Sequence, residues 1–112
     1  MAEAEELHRR KPAELPKGTP TLTEEQATEL DGQLSPAWRR DGTQALRGSF
    51  EFGTFSEAFA FTTRVALLAE RFFHHPDIEV GWGYAKATFT THSIGGLSEN
   101  DYIMAAKIDQ FA

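Results

Sequence analysis

The chain contains no cysteine. Disulfide cross-links, thiol nucleophiles and cysteine-ligated zinc are excluded outright. Long apolar runs are missing as well, and no stretch of the sequence approaches the ~20 residues that a membrane-crossing helix requires. Basic residues are in deficit, with 11 Lys and Arg against 17 Asp and Glu and a formal net charge of −6. A surface of that sign repels a phosphate backbone, so nucleic acid is not an expected partner. The charged, Pro-containing N-terminus has no apolar centre of the kind a secretory signal carries. No Gly-x-Ser-x-Gly elbow is present, and Gly81-Trp82-Gly83 reads as a hairpin rather than a phosphate loop. These absences leave a cytoplasmic protein, with no membrane partner, as the expectation.

What is present suffices for one domain: 112 residues, 40% of them apolar, including nine Phe. Residues 1–21 carry three prolines and many charges without a sustained apolar period. They read as a mobile N-terminal tail, and residues 22–112 as the folded domain. A short helix begins at about Thr23, which can cap it, with Gln26 at the capping-box distance and Leu30 and Leu34 on its buried side. Strands are expected at 37–40 and 45–52, separated by the turn signal Asp41-Gly42, the second supplying Leu46, Phe50 and Phe52.

The longest helix is expected over 56–73, capped by Thr54 or Ser56 and ended by Pro76. Phe55, Phe59, Thr62, Ala66, Ala69 and Phe73 recur at spacings of three and four. Phe61, Val65, Leu68 and Phe72 widen that stripe, so the helix is expected to bury one side on the sheet and another elsewhere, such as on a second subunit. Segment 77–92 reads as a hairpin turning at Gly83-Tyr84, which sets Trp82 against Ala85, Val80 against Ala87 and Ile78 against Phe89. The last helix starts at Ser98, with Asp101 completing a capping box and Leu97 and Tyr102 as a staple. The order is α-β-β-α-β-β-α. It specifies an α+β fold, a four-stranded antiparallel sheet with three helices packed on one face.

Histidines concentrate where elements end. His74-His75-Pro76 stands at the stop of the long helix, and His92 follows the last strand, while His8 lies in the tail. Imidazole gives and takes protons near neutral pH, and element ends border clefts, so these three suit general acid–base chemistry. Capping of the helix by His74 and His75 is the structural alternative. A metal site is a third reading, weakened by the lack of a His-x3-His pair. Glu70, one turn before His74, can orient an imidazole. Asp101 reads as a helix cap rather than a catalyst, and Trp38, Trp82 and Phe72 as core or as walls of a cleft for a planar ring. Spacing alone leaves a histidine cleft of unspecified substrate.

Over residues 22–111 the sequence resembles the pterin-4a-carbinolamine dehydratase family. The resemblance is carried by Glu70, His74-His75-Pro76, Trp82, His92 and Asp101 at the family's spacings, and by the flanking segments Phe59-Ala60-Phe61-Thr62-Thr63-Arg64-Val65-Ala66, Thr90-Thr91-His92 and Gly96-Leu97-Ser98-Glu99. It implies dehydration of 4a-hydroxytetrahydropterin to quinonoid dihydropterin, in support of tetrahydropterin recycling, without metal or organic cofactor. His74 and His92 would be the acid–base pair and His75, also catalytic, would mainly hold the pterin. Glu70, Phe73, Thr90 and Thr91 would complete the substrate-binding set. Phe73 stands where several members carry a polar or acidic residue, and Gly83 where Asn is common. The resemblance also implies self-association as a dimer or tetramer through the long helix and a sheet edge. A competing function follows from animal members of the family, which serve as dimerisation cofactors for a transcription factor through that helix.

Overall fold

Short-range signals fix where each helix begins. In the computed structural model, which describes residues 6–112, Thr23 and Gln26 form a reciprocal box: each side chain accepts the other's backbone N–H, at 3.1 and 2.9 Å. Helix α1 (Glu24–Asp31) follows. Helix α2 (Phe55–Phe72) starts where Thr54 Oγ1 accepts the Glu57 N–H at 3.1 Å. Helix α3 (Glu99–Asp109) starts from the Ser98–Asp101 box. Such caps satisfy N–H groups that have no partner within the helix.

The strands are β1 (Trp38–Asp41), β2 (Ala45–Glu51), β3 (Asp77–Gly81) and β4 (Tyr84–Phe89), joined antiparallel in the order β1-β2-β4-β3. With the helices the order is the expected α-β-β-α-β-β-α. Gly48, paired with Trp38, leaves room for the indole, since a Cβ there would lie 2.7 Å from Trp38 Cζ3. The hairpin register differs from expectation. Gly81 pairs with Tyr84, Val80 with Ala85 and Ile78 with Ala87, so the turn is Trp82-Gly83. Gly83 takes a positive φ of +81° as the second turn residue rather than as the first, the place expected for it. The slip moves every pair by two residues and keeps each side chain on its face. Trp82, expected on the inner face, stands in the turn and is 75% exposed.

Leu46, Ala85, Ala87 and Phe89 line the covered face of the sheet, against Phe61 and Val65 of α2 and Tyr102, Ile103 and Met104 of α3. Phe61 packs on Phe50, Phe52 and Phe111 at centroid distances of 4.7, 5.1 and 5.6 Å. The opposite face carries Arg39, Arg47, Ser49 and Lys86, all exposed. On α2 the buried positions are Ala58, Phe61, Val65 and Ala69. Of the two sides expected to be apolar, the one carrying Phe61 and Val65 meets the sheet, while Phe55, Phe59 and Phe73 on the other are exposed, as is Leu67. Two apolar stripes compete on this helix, and only one can meet the sheet.

The sequence reads as a mobile tail over residues 1–21; residues 1–5 lie outside the described residues, and residues 6–21 run along the rest of the fold. Leu7 enters the core, Lys107 Nζ donates to the His8 carbonyl at 2.8 Å, and the Leu22 N–H donates to the Leu97 carbonyl at 2.9 Å. Among the described residues no helix is long and apolar enough to cross a membrane.

Helix α1 is tied to α3 and β1 through one carboxylate. Tyr102 Oη donates to Asp31 Oδ1 at 2.6 Å, while Arg40 Nε donates to Asp31 Oδ2 at 2.7 Å. Burial and the bond to Asp31 push the Tyr102 phenol well above its ordinary value of 10.0. Its folded-state value exceeds the unfolded one, so the stability it confers is complete below pH ~10 and is lost as pH rises beyond it. Tyr102→Phe is expected to lower unfolding free energy by about 2 kcal/mol in urea titrations. It should also flatten the loss of stability above pH ~10 that the wild type shows.

Candidate active site

The site begins with the way α2 ends. Phe73 takes a left-handed conformation (φ 52°, ψ 39°), and the N–H groups of Phe73 and His74 both turn back to the Ala69 carbonyl. The helix therefore stops one residue earlier than expected, by a left-handed cap rather than by Pro76 alone. For a residue other than glycine that conformation costs about 1 kcal/mol. It swings His74 off the helix surface, so the Glu70–His74 pairing expected from an i, i+4 spacing does not form. Glu70 Oε2 meets His75 Nε2 instead, at 3.0 Å in an exposed pair.

His74 turns to α3. Its Nε2 lies 2.6 Å from Asp101 Oδ1, and its ring is parallel to that of Phe89, 6.0 Å between centroids and 3° between planes. Asp101 is fully buried, and a buried carboxylate persists only if its oxygens are satisfied. Its Oδ2 accepts the Ser98 N–H and the Thr91 hydroxyl, each at 2.9 Å. The Thr91 hydroxyl has one proton and directs it at the carboxylate, so the 2.7 Å contact with Ser98 Oγ must be donated by Ser98. Among the described residues no buried side-chain polar atom is left without a partner.

An ionised carboxylate only accepts. Nε2 of His74 therefore carries the proton in this bond, and Nδ1, which makes no hydrogen bond within the described residues, holds the lone pair of the neutral ring. His74 borders a cleft of about 540 Å³, of a size suited to a small heterocycle. Phe72, Phe73, Thr91, Ser93 and Asn100 line it with His74, and Pro12, Ala13, Glu14 and Leu15 close one side.

Of the residues singled out in the sequence, Phe72, Phe73, His74 and Thr91 meet on this cleft. His92 opens a short 3-10 turn (His92–Ile94) between Thr91 and Ser93, which both line the cleft, but its own side chain is exposed and is not among the lining groups. His75 and Glu70 pair outside the lining, and the Thr90 hydroxyl is engaged by the Gln44 carbonyl at 2.6 Å. Asp101 caps α3 as expected and also holds His74, a second role that the cap reading left out. Asn100 and Ser93 escaped sequence reasoning, although both adjoin residues that it named. Residues 12–15 carried no local signal, since their partner Asn100 is 87 positions away from Ala13. No group of three His, Asp or Glu side chains suited to a metal ion forms among the described residues.

Thr91→Val keeps side-chain volume and removes both hydroxyl contacts of that residue. It is expected to cost about 1–3 kcal/mol in chemical denaturation, because Asp101 and Ser98 each lose a buried partner.

The profile of the pterin 4 alpha carbinolamine dehydratase family matches residues 20–111. A relative bearing the pterin-4-alpha-carbinolamine dehydratase name, from Methylococcus capsulatus, is 47% identical over 85% of this chain and 83% of its own length. A relative of the same name from Rubrobacter xylanophilus is 47% identical over 83% of this chain and 86% of its own. The crystal structure of a transcriptional coactivator/pterin dehydratase from Brucella melitensis superposes with a TM-score of 0.73 at 37% identity, over 80% of this chain and 96% of that one. A pterin dehydratase-like protein identified as a RuBisCO assembly factor in the alpha-carboxysome matches with a TM-score of 0.56 at 29% identity, over 66% of this chain and 87% of that one. With a matched profile that spans the whole sheet and all three helices, this chain belongs to the pterin 4 alpha carbinolamine dehydratase family.

Proposed function

We propose that this chain dehydrates 4a-hydroxytetrahydropterin to quinonoid dihydropterin by histidine acid–base catalysis, as a cytoplasmic step in tetrahydropterin recycling. The observation that carries this reading is His74, held at the cleft by a buried carboxylate through Nε2 while Nδ1 stays open. Hydroxide is a poor leaving group. One imidazolium protonates the 4a-oxygen as the C4a–O bond breaks, the N5 lone pair closes the C=N bond, and water departs. A second, neutral imidazole then takes a ring proton. His74 and His92 divide these two tasks, and Asp101 faces the positive charge that the His74 ring gains when it takes a proton. His75, steadied by Glu70, meets the substrate from the mouth of the cleft, with Phe73, Thr90 and Thr91 as further contacts. Neither metal nor organic cofactor enters these steps.

The exposed row Phe55, Phe59 and Leu67 on α2 favours a second reading, association through that helix. A second copy of the chain is the partner we expect, giving a dimer or tetramer with the β3 or β1 sheet edge available for further contact. A heterologous partner, of the kind suggested by the coactivator and assembly-factor names of the two structural neighbours, is the alternative use of the same surface.

Stopped-flow measurement with freshly generated 4a-hydroxytetrahydropterin tests the chemistry against the spontaneous rate in buffer. Each of His74→Ala and His92→Ala should lower kcat by about 10²-fold or more. The double variant should return the rate to that of buffer while circular dichroism remains native. Unchanged turnover in the double variant overturns the mechanism. For the helix surface, sedimentation velocity should give an oligomer that Phe55→Ser with Phe59→Ser shifts to smaller species.

A further inference from the structure

We propose that the N-terminal arm is a substrate-binding wall of the His74 cleft, with the Glu14 carboxylate accepting hydrogen bonds from the amino and ring N–H edge of the bound heterocycle. The proposal rests on the dehydratase reading for the identity of that heterocycle. The arm lies outside residues 20–111, which the family profile spans, yet Pro12, Glu14 and Leu15 border the same cleft as His74 and Phe73.

The arm is anchored along its length. Leu7 is 4% exposed in the core, the His8 carbonyl accepts from Lys107, and Arg10 pairs with Glu99. Closest to the cleft, the Asn100 side chain grips the backbone of Ala13 on both sides. Its Oδ1 accepts the Ala13 N–H at 2.9 Å, and its Nδ2 donates to the Ala13 carbonyl at 2.7 Å. A side-chain amide that copies a strand partner in this way holds one residue of an otherwise irregular segment in register. Asn100 directly precedes Asp101. The wall and the imidazole opposite it are thus referred to adjacent residues in one turn of α3, and their separation is set by that turn.

Chemistry points to Glu14 in particular. It is the carboxylate among the residues that line the cleft, and it makes no hydrogen bond or ion pair within the described residues. A pterin presents an exocyclic amino group beside a ring N–H, two donors in one plane. A carboxylate accepts such a pair in parallel. Pro12 and Leu15 flank it with apolar surface, and Phe72 and Phe73 stand among the other lining groups as faces for a flat ring. Glu14 is remote from the proton-transfer groups in role: it fixes affinity and orientation and takes no proton during the reaction.

The test uses the full-length chain with Glu14→Gln and Asn100→Ala, each checked for native circular dichroism and melting. Affinity is read by calorimetric titration with 7,8-dihydrobiopterin and with its 2-oxo analogue, and turnover by stopped flow. Glu14→Gln should raise both Kd and KM about tenfold, the loss expected for a charge-assisted pair, with kcat within about twofold. Asn100→Ala should raise KM comparably by releasing the arm. The 2-oxo analogue, which lacks the amino donor and keeps a ring N–H, should bind the wild type more weakly and lose less affinity than dihydrobiopterin on Glu14→Gln. Wild-type Kd and KM in both variants would overturn the proposal and leave the dehydratase reading intact, as would a loss confined to kcat. A wild-type protein that neither binds dihydrobiopterin nor accelerates dehydration would instead overturn the dehydratase reading, and the ligand assigned to Glu14 with it.

Discussion

A single buried carboxylate organises this molecule's chemistry. Asp101 ends one loop, starts one helix and holds one histidine, through hydrogen bonds to the Ser98 N–H, the Thr91 hydroxyl and His74. Isolated in the interior, it would be too costly to ionise. Three donors converge on it and fix its direction. The capping box that nucleates α3 is for that reason inseparable from the group that aims the imidazole. A helix start is among the most rigidly specified places in a fold, because its N–H groups must be met by something. Using it as the foundation of the site gives His74 a mounting as rigid as the fold itself.

Local chemistry was the part of the structure legible in the sequence. The caps at Thr23, Thr54 and Ser98 stand where their side chains require, and the strand and helix order follows from the apolar patterns between them. Long-range choices were less legible. On α2 two apolar stripes were written with similar strength, and nothing local states which one meets the sheet; packing against Phe50 and Phe89 decides for Phe61 and Val65. The hairpin register turned on a single residue, since Gly83 suits a turn either as its first residue, before Tyr84, or as its second, after Trp82, and the strand pairing takes the second. At the site, the motif spacing named His74, but its partner was misjudged, because an i, i+4 rule assumes a helix that continues through Phe73. The arm was illegible for a related reason. Its docking depends on Asn100 and Glu99, near the far end of the chain, and leaves no periodic trace in residues 6–21.

The two sides of the molecule divide the work. Beneath the sheet, α2 and α3 supply the core, and at one edge of that layer the ends of α2, β4 and the start of α3 converge on the cleft. The outward side of α2 carries aromatic surface that contributes nothing to the monomer's core.

Phe73 gives two neighbouring histidines different physical characters. Had the helix run on, His74 and His75 would have sat 100° apart on one rod, both wet and both mobile. One left-handed residue breaks that equivalence. It sends the first imidazole inward, onto an aromatic ring and a dry carboxylate, and leaves the second outside with a solvated one. The first is held by one nitrogen against Asp101. The second meets water as well as its carboxylate. A strained backbone angle, small beside the stability of the fold, thereby gives an identical pair one enclosed setting and one exposed setting.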